Sequence, residues 1–217
     1  MTPYISSNLC PLCDSSQSGL FYEDKKRPYL RCTVCKLVFV PPTHHLSAKA
    51  ERAEYDLHEN SPSDVGYRRF LGRLFEPLNA RLAPNSVGLD FGCGPGPTLS
   101  IMFEEVGHQV AIYDPFYANF PVVFDYTYDF ITATEVIEHL YTPHVEIERL
   151  WGRLHHGGIL GMMTKLARDE EAFATWHYKA DLTHVCFFSH ETFEWVADWL
   201  GAELTLIGND VILLRKV

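Results

Sequence analysis

Residues Val87-Gly88-Leu89-Asp90-Phe91-Gly92-Cys93-Gly94-Pro95-Gly96 read as a short apolar strand running straight into a glycine loop. Pro97 stands where a first helical residue belongs, and Thr98–Val106 continues as a helix. Gly107-His108 turns the chain into a second strand, Gln109–Tyr113, which ends in Asp114. Strand, glycine loop, helix, strand and acid, in this order, predict the nucleotide-binding half of a doubly wound α/β fold. The glycines let the backbone approach a ligand closely, and Gly94 is expected at a positive φ in the tight turn. Asp114 is placed to accept hydrogen bonds from both hydroxyls of a ribose. The loop is Gly-x-Gly-x-Gly, and Asp90 precedes it. An acid aimed into such a loop repels a pyrophosphate and attracts an ammonium. That points away from NAD and towards the amino-acid end of S-adenosylmethionine (SAM).

Further along, Tyr128–Leu140 reads as a strand (Tyr128-Asp129-Phe130-Ile131-Thr132-Ala133) followed by Thr134-Glu135-Val136-Ile137-Glu138-His139-Leu140. Pro143–Leu154 reads as a helix, and Leu154-His155-His156-Gly157-Gly158-Ile159-Leu160 as the turn into a strand over Gly158–Thr164. Together with the glycine loop and Asp114, these stretches resemble the ordered motifs of Rossmann-like (class I) SAM-dependent methyltransferases over about residues 85–217. The Glu-Val-x-Glu-His run is most similar to the ubiquinone-biosynthesis type of methylase. The resemblance implies that Asp90, Gly92, Gly94 and Gly96 hold the methionine part, Asp114 the ribose, and Thr134 and Glu135 the floor beneath the sulfonium. In the methylases this run resembles, a divalent metal is assigned here. On a helical turn Glu135, Glu138 and His139 could all meet one cation. One departure stands out: only 14 residues separate Asp114 from Asp129, room for at most a stub of a third strand at Val122–Phe124. The residues that normally flank adenine come from that region, which leaves Phe116 or Tyr117 to pack on the ring.

Upstream, Cys10-Pro-Leu-Cys13 and Cys32-Thr-Val-Cys35 form two Cys-x-x-Cys knuckles, the spacing of a four-thiolate, structural zinc site. Leu20–Tyr22 and Tyr29–Arg31 read as short strands of a zinc ribbon. Two disulfides are the alternative, disfavoured in a chain whose Met1–Leu12 lacks the charged and apolar regions of a secretory leader. A segment this short has too little apolar surface to fold without such a staple. Zinc ribbons precede the catalytic domain in some sugar C-methyltransferases and some bacterial rRNA guanine methyltransferases. The organisation expected is a ribbon over residues 1–46, a helical linker or cap over 47–84, and the methyltransferase domain over 85–217. Within the linker, Ser47–Glu59 is polar and helix-prone, and Asn60–Asp64 breaks it. Val65–Leu82 carries an apolar stripe at helical spacing.

Downstream, Trp176–His184 mixes aromatic, basic and acidic residues between the fifth strand and a helix capped by Ser189, near the strand ends where such sheets bind ligands. His184 is the first candidate for a general base and His139 the second; Tyr178 and Asp181 could orient the acceptor. Alternatively, His184 serves a structural hydrogen bond. Ala202–Ile207 and Val211–Val217 form a closing antiparallel hairpin.

The chain has 217 residues, 18 basic and 28 acidic, for a net charge of −10. Residues 1–46 carry five basic and three acidic side chains, leaving 13 and 25 for the remainder. Such a chain is a poor general binder of nucleic acid or anionic membrane, and a cytoplasmic location is expected. The leading expectation is a SAM-dependent methyltransferase acting on an O, N or C nucleophile of a small molecule. The alternatives are an RNA base methyltransferase gripping RNA through its ribbon, and a non-catalytic SAM-binding protein.

Overall fold

Between two cysteine knuckles there is room only for turns and short strands. The computed structural model describes residues 9–57 and 61–217. In it this segment is an antiparallel pair, β1 (Ser18–Glu23) and β2 (Pro28–Cys32), followed by β3 (Val38–Phe39) against β2. Asp24 shapes the hairpin end, its Oδ1 accepting the amides of Lys26 and Arg27 at 2.8 and 3.0 Å. Helix α1 (Ala48–Tyr55) starts where the Ser47 side chain accepts the Ala50 amide. Helix α2 (Val65–Asn79) starts where Asp64 accepts the amides of Gly66 and Tyr67, and it runs through Pro77. The expected helix end at Glu59, the break at Asn60, and Met1–Asn8 of the stretch read for a leader lie outside the described residues.

The long apolar runs then build the main sheet. Its elements are β4 (Val87–Phe91), α3 (Thr98–Glu105), β5 (Gln109–Tyr113), β6 (Tyr128–Thr134), α4 (Pro143–Trp151) and β7 (Leu154–Met163). They are followed by α5 (Glu170–Ala174), β8 (Cys186–Phe187), α6 (His190–Leu200), β9 (Ala202–Ile207) and β10 (Val211–Lys216). The strand order is β5-β4-β6-β7-β10-β9. The first four run parallel; β10 is antiparallel to both β7 and β9. This is the doubly wound α/β sheet with a reversed last strand that the motifs predict. Strands covered on both faces need continuous apolar runs rather than alternation. Leu71, Leu74 and Leu78 of α2 pack with Met102 and Phe103 of α3 on Phe130 and Leu213. Ile147 and Leu150 of α4 and Phe193 and Val196 of α6 belong to the other cluster, with Ile131, Leu160 and Ile212.

Two details differ from the sequence reading. Val122–Phe124 forms no strand; Pro121–Asp125 is a 3-10 turn, so β5 is the sheet edge. And β7 begins at Leu154 rather than Gly158, because the β6–β7 register slips between Tyr128 and Phe130. Gly157, at φ +82, absorbs the irregularity.

β8 does not join the main sheet. It pairs with β3, giving a second sheet in the order β1-β2-β3-β8. The Val40 amide extends the seam to the Val185 carbonyl at 2.9 Å. Phe173 of α5 sits among the rings of Phe21, Tyr22, Tyr29 and Phe187, with centroids 5.0–5.9 Å away. The ribbon and the main domain therefore share one buried apolar cluster, although the charge balance changes near residue 46.

Gly88, in β4, tests the packing of the central strand. A Cβ there would meet the Phe130 ring at 2.2 Å, and that ring is fully buried. Gly88→Ala is expected to cost at least about 1–3 kcal/mol, the range typical of an overpacked core, measured by denaturant unfolding monitored by fluorescence.

Candidate functional site

A cavity of about 620 Å³ opens at the carboxyl ends of β4, β5 and β6. The glycine loop forms one wall. Gly92 has φ +74, and a Cβ on it would lie 2.4 Å from Val136 Cγ2. Gly94 has φ +63, and a Cβ on it would meet open space. Both glycines line the cavity. Gly96 does not; its carbonyl accepts the Thr98 amide at 2.7 Å, at the start of α3. Asp90 also stands behind the wall, 4% exposed, accepting the Thr132 hydroxyl at 2.7 Å. Burial pushes its pKa up to about 7, although the Thr132 hydroxyl opposes the shift.

Asp114 ties the cofactor side together. Its Oδ2 accepts the Gly94 amide at 3.1 Å; its Oδ1 accepts the amides of Phe116 and Tyr117 at 2.8 and 3.1 Å. A carboxylate has about four acceptor positions, so capacity for ribose hydroxyls remains. Phe116 and Tyr117 line the cavity beyond it, on the turn that replaces a third strand. Thr134 and Glu135 form the floor. Thr134 Oγ1 and Glu135 Oε1 are buried without a hydrogen-bond partner among the described residues. Buried polar atoms of that kind on a cavity wall suit a polar ligand.

The opposite side of the cavity is built by His139, Tyr141, Asp181 and His184. His184 Nδ1 lies 2.8 Å from the Tyr178 carbonyl, which can only accept. Nδ1 therefore carries the proton, and Nε2 presents a lone pair 3.6 Å from Asp181 Oδ2. Burial holds the His184 pKa below the usual value, with the Asp181 charge opposing. Burial also works against a charged Asp181, but the Thr183 hydroxyl and amide outweigh it and keep its carboxyl below the ordinary range. The rings of His139 and His184 are 4.6 Å apart. The structural hydrogen bond of His184 and its exposure to the cavity thus coexist, through different nitrogens.

Glu135 and Glu138 do not lie on one helical turn. Glu135 takes a left-handed backbone, φ +53, and its side chain accepts the Tyr178 hydroxyl at 3.2 Å. Glu138, fully buried, accepts the same hydroxyl. Burial and the Glu135 charge push its pKa up to about 8. The residues whose ligand atoms fall within 4.8 Å of one another are Glu138, His139 and His184, so His184 stands where the helical-turn reading puts Glu135.

The four ribbon cysteines also converge within 4.8 Å, all as free thiols. Cys10 and Cys35 sulfurs are 3.4 Å apart, and those of Cys13 and Cys32 3.5 Å. Four sulfurs about 2.3 Å from one tetrahedral zinc stand about 3.8 Å from each other, so the cluster fits that ion and not two disulfides. Asp14 and Lys36, each following the second cysteine of a knuckle, have φ +55 and +63, the tight turns that aim both sulfurs one way.

Residues 64–207 match the family model described as a methyltransferase domain. The chain belongs to this methyltransferase family. No curated protein matches it in sequence. Among solved structures it is similar to magnesium protoporphyrin IX methyltransferase from Synechocystis PCC 6803, which holds SAH. The identity is 12%, the match covers 78% of this chain and 94% of that one, and the TM-score is 0.52. It is also similar to an O-methyltransferase family protein from Burkholderia thailandensis, at 14% identity and TM-score 0.52, covering 78% of this chain and 60% of that one. At these identities the likeness concerns the fold, that of class I SAM-dependent methyltransferases.

Three features of the cavity and its support are not evident from the motifs. Glu51 of α1 is buried, lines the cavity, and accepts the hydroxyls of Tyr55 and Tyr141 at 2.9 and 3.0 Å. Tyr55 packs on Phe116 and His139, so α1 roofs the cavity. Arg27, in the ribbon turn, reaches the loop that carries His184. The one available signal for α1 was an aromatic residue, Tyr55, in an otherwise polar helix.

Gly92→Ala is expected to weaken SAM binding about five- to thirtyfold, since the loop must give up the left-handed backbone or bear about 1–2 kcal/mol with a Cβ present. Calorimetric titration checks this, with circular dichroism confirming the fold.

Proposed function

We propose that the chain transfers a methyl group from SAM to an O, N or C nucleophile of a small molecule. The observation that carries this reading is the composition of the cavity wall. Its lining includes five carboxylates (Glu51, Asp114, Glu135, Glu146 and Asp181) and, among the described residues, no lysine or arginine. Such a wall attracts a sulfonium and repels the phosphates of RNA. The ribbon's exposed cations are few: Lys25 and Lys26 stand at the hairpin turn, whereas Arg27 is buried, Arg31 lies 3.9 Å from Glu191, and Lys36 donates to the Thr33 carbonyl. A phosphate-reading surface needs cations free to displace counterions.

Bound SAM supplies a methyl already activated by its sulfonium. The protein's part is orientation and proton handling. The backbone at Gly92–Pro95 and the Asp114 carboxylate fit the methionine and ribose ends. Phe116 and Tyr117 provide faces for adenine. His184 Nε2 is placed to take a proton from the acceptor, and the Asp181 carboxylate stabilises the imidazolium that results. Tyr55 and Tyr141 flank the acceptor side.

The experiment is incubation with methyl-labelled SAM and fractionated cell extract. Label is expected in the small-metabolite fraction; label confined to RNA would instead support the RNA reading. SAM binding with no transfer to any fraction would leave a SAM-binding protein without turnover.

We further propose one structural zinc held by Cys10, Cys13, Cys32 and Cys35. The purified protein is expected to contain about one zinc per chain. Chelation is expected to lower its melting temperature, because the ribbon shares a core with the main domain. Elemental analysis beside thermal unfolding checks both.

A further inference from the structure

The segment Tyr178–Val185 carries Asp181 and His184 into the cavity, yet most of it has no regular hydrogen-bonding partner strand. Its carbonyls find a cation instead. Arg27, 3% exposed and 155 residues earlier in the chain, donates from Nη1 to the Leu182 carbonyl at 2.9 Å. Its Nη2 points to the carbonyls of Lys179, Asp181 and His184 at 3.2, 2.9 and 2.9 Å. Its Nε donates to the Tyr29 hydroxyl at 3.1 Å, and that hydroxyl donates to Asp24 Oδ2 at 3.1 Å. Four carbonyls aimed at one point repel one another and would be left unsatisfied without a donor among them. A guanidinium answers all four because it is planar and permanently charged: Nη1 serves Leu182, and the two hydrogens of Nη2 are shared among the other three carbonyls, a spread that a compact ammonium does not match.

The consequence is geometric. His184 Nδ1 is set by the Tyr178 carbonyl, and the His184 carbonyl is set by Arg27. Beyond His184, the Val185 amide donates to the Glu138 carbonyl at 2.8 Å, while its carbonyl accepts from Val40 of the ribbon. We propose that Arg27 is a positioning residue: the ribbon hairpin holds, from the side away from the cavity, the loop that presents Asp181 and His184 to the acceptor. This rests on reading those two residues as the acceptor side of a methyl-transfer site. On this account the ribbon is an internal brace, and its basic turn residue serves the active site rather than an external partner.

The test uses full-length, zinc-loaded protein and three variants, Arg27→Ala, Arg27→Lys and Tyr29→Phe. In Arg27→Ala, zinc content and SAM affinity are expected to stay within about twofold of wild type. Amide exchange in residues 178–185 should accelerate at least about tenfold while the glycine-loop region stays unchanged. Arg27→Lys should fall between the two. Nitrogen NMR of His184 gives a second readout: the Nδ1-protonated form in wild type, a mixture of tautomers in Arg27→Ala. Unchanged exchange and an unchanged His184 signal in a folded Arg27→Ala overturn the proposal, as does acceleration spread evenly over the whole domain. Should Arg27→Ala lose zinc or fold, Tyr29→Phe decides. It leaves the guanidinium without its Nε acceptor, so exchange confined to residues 178–185 should rise at least about threefold, and wild-type exchange overturns the proposal. None of these readouts needs an acceptor. Failure of the methyltransferase reading would show separately, as SAM binding without transfer by the wild-type protein.

Discussion

The chain leaves β4 at Gly92 in a backbone conformation that side chains rarely adopt, against a Val136 side chain that leaves no space for a Cβ. β4 is flanked on both sides by parallel strands, so its end cannot shift sideways to relieve that contact. The exit at Gly92 sets where Gly94 offers its amide, and that amide meets Asp114 from the neighbouring strand. Val136, in turn, follows the left-handed Glu135 that aims its carboxylate at Tyr178. One backbone constraint in the middle of the sheet thus relates the cofactor loop, the second-strand acid and the floor of the cavity.

The opposite side of the cavity depends on different physics. There the chain between β7 and α6 is mostly irregular, and irregular backbone buried near a site needs partners for its polar groups. The ribbon supplies them through a two-residue strand seam at β3–β8 and a guanidinium among carbonyls, while its Phe21, Tyr22 and Tyr29 pack on Phe173 of the main domain. The four-cysteine cluster belongs to the same buried core as this seam. With zinc held there as proposed, thiolate–metal bonds would add to the small apolar core that a module of this size can build.

Local rules made much of the fold legible. The strand–glycine–helix–strand–acid order, the apolar stripe of α2, the Ser189 cap and the final hairpin are each encoded within about 15 residues, and each stands in the structure where it was read. The cysteine spacing likewise predicted a convergence that the coordinates display. What could not be read depends on contacts between distant segments. Nothing local to Lys25-Lys26-Arg27 distinguishes the arginine that is buried from the two lysines beside it. Nothing in a polar helix shows that Glu51 faces a cavity. Glu135 looked like part of a helical turn because its neighbours have helical spacing. Its left-handed φ accompanies a hydrogen bond that its amide donates to the Met163 carbonyl on the adjacent strand, at 2.7 Å. The late start assigned to β7 had a similar cause, since a register slip is a property of two strands and not of one.

The shortened connection after β5 makes one side chain answer for two halves of a binding surface. In a longer domain an extra strand would build the adenine wall by itself. Here the turn after Asp114 lines the cavity, the side proposed for adenine, and the Asp114 carboxylate holds that turn with one oxygen and the glycine loop with the other. The two walls are therefore mechanically linked through a single carboxyl group. Substitutions in the turn and in the glycine loop should therefore couple energetically rather than add, because both act through the same carboxylate.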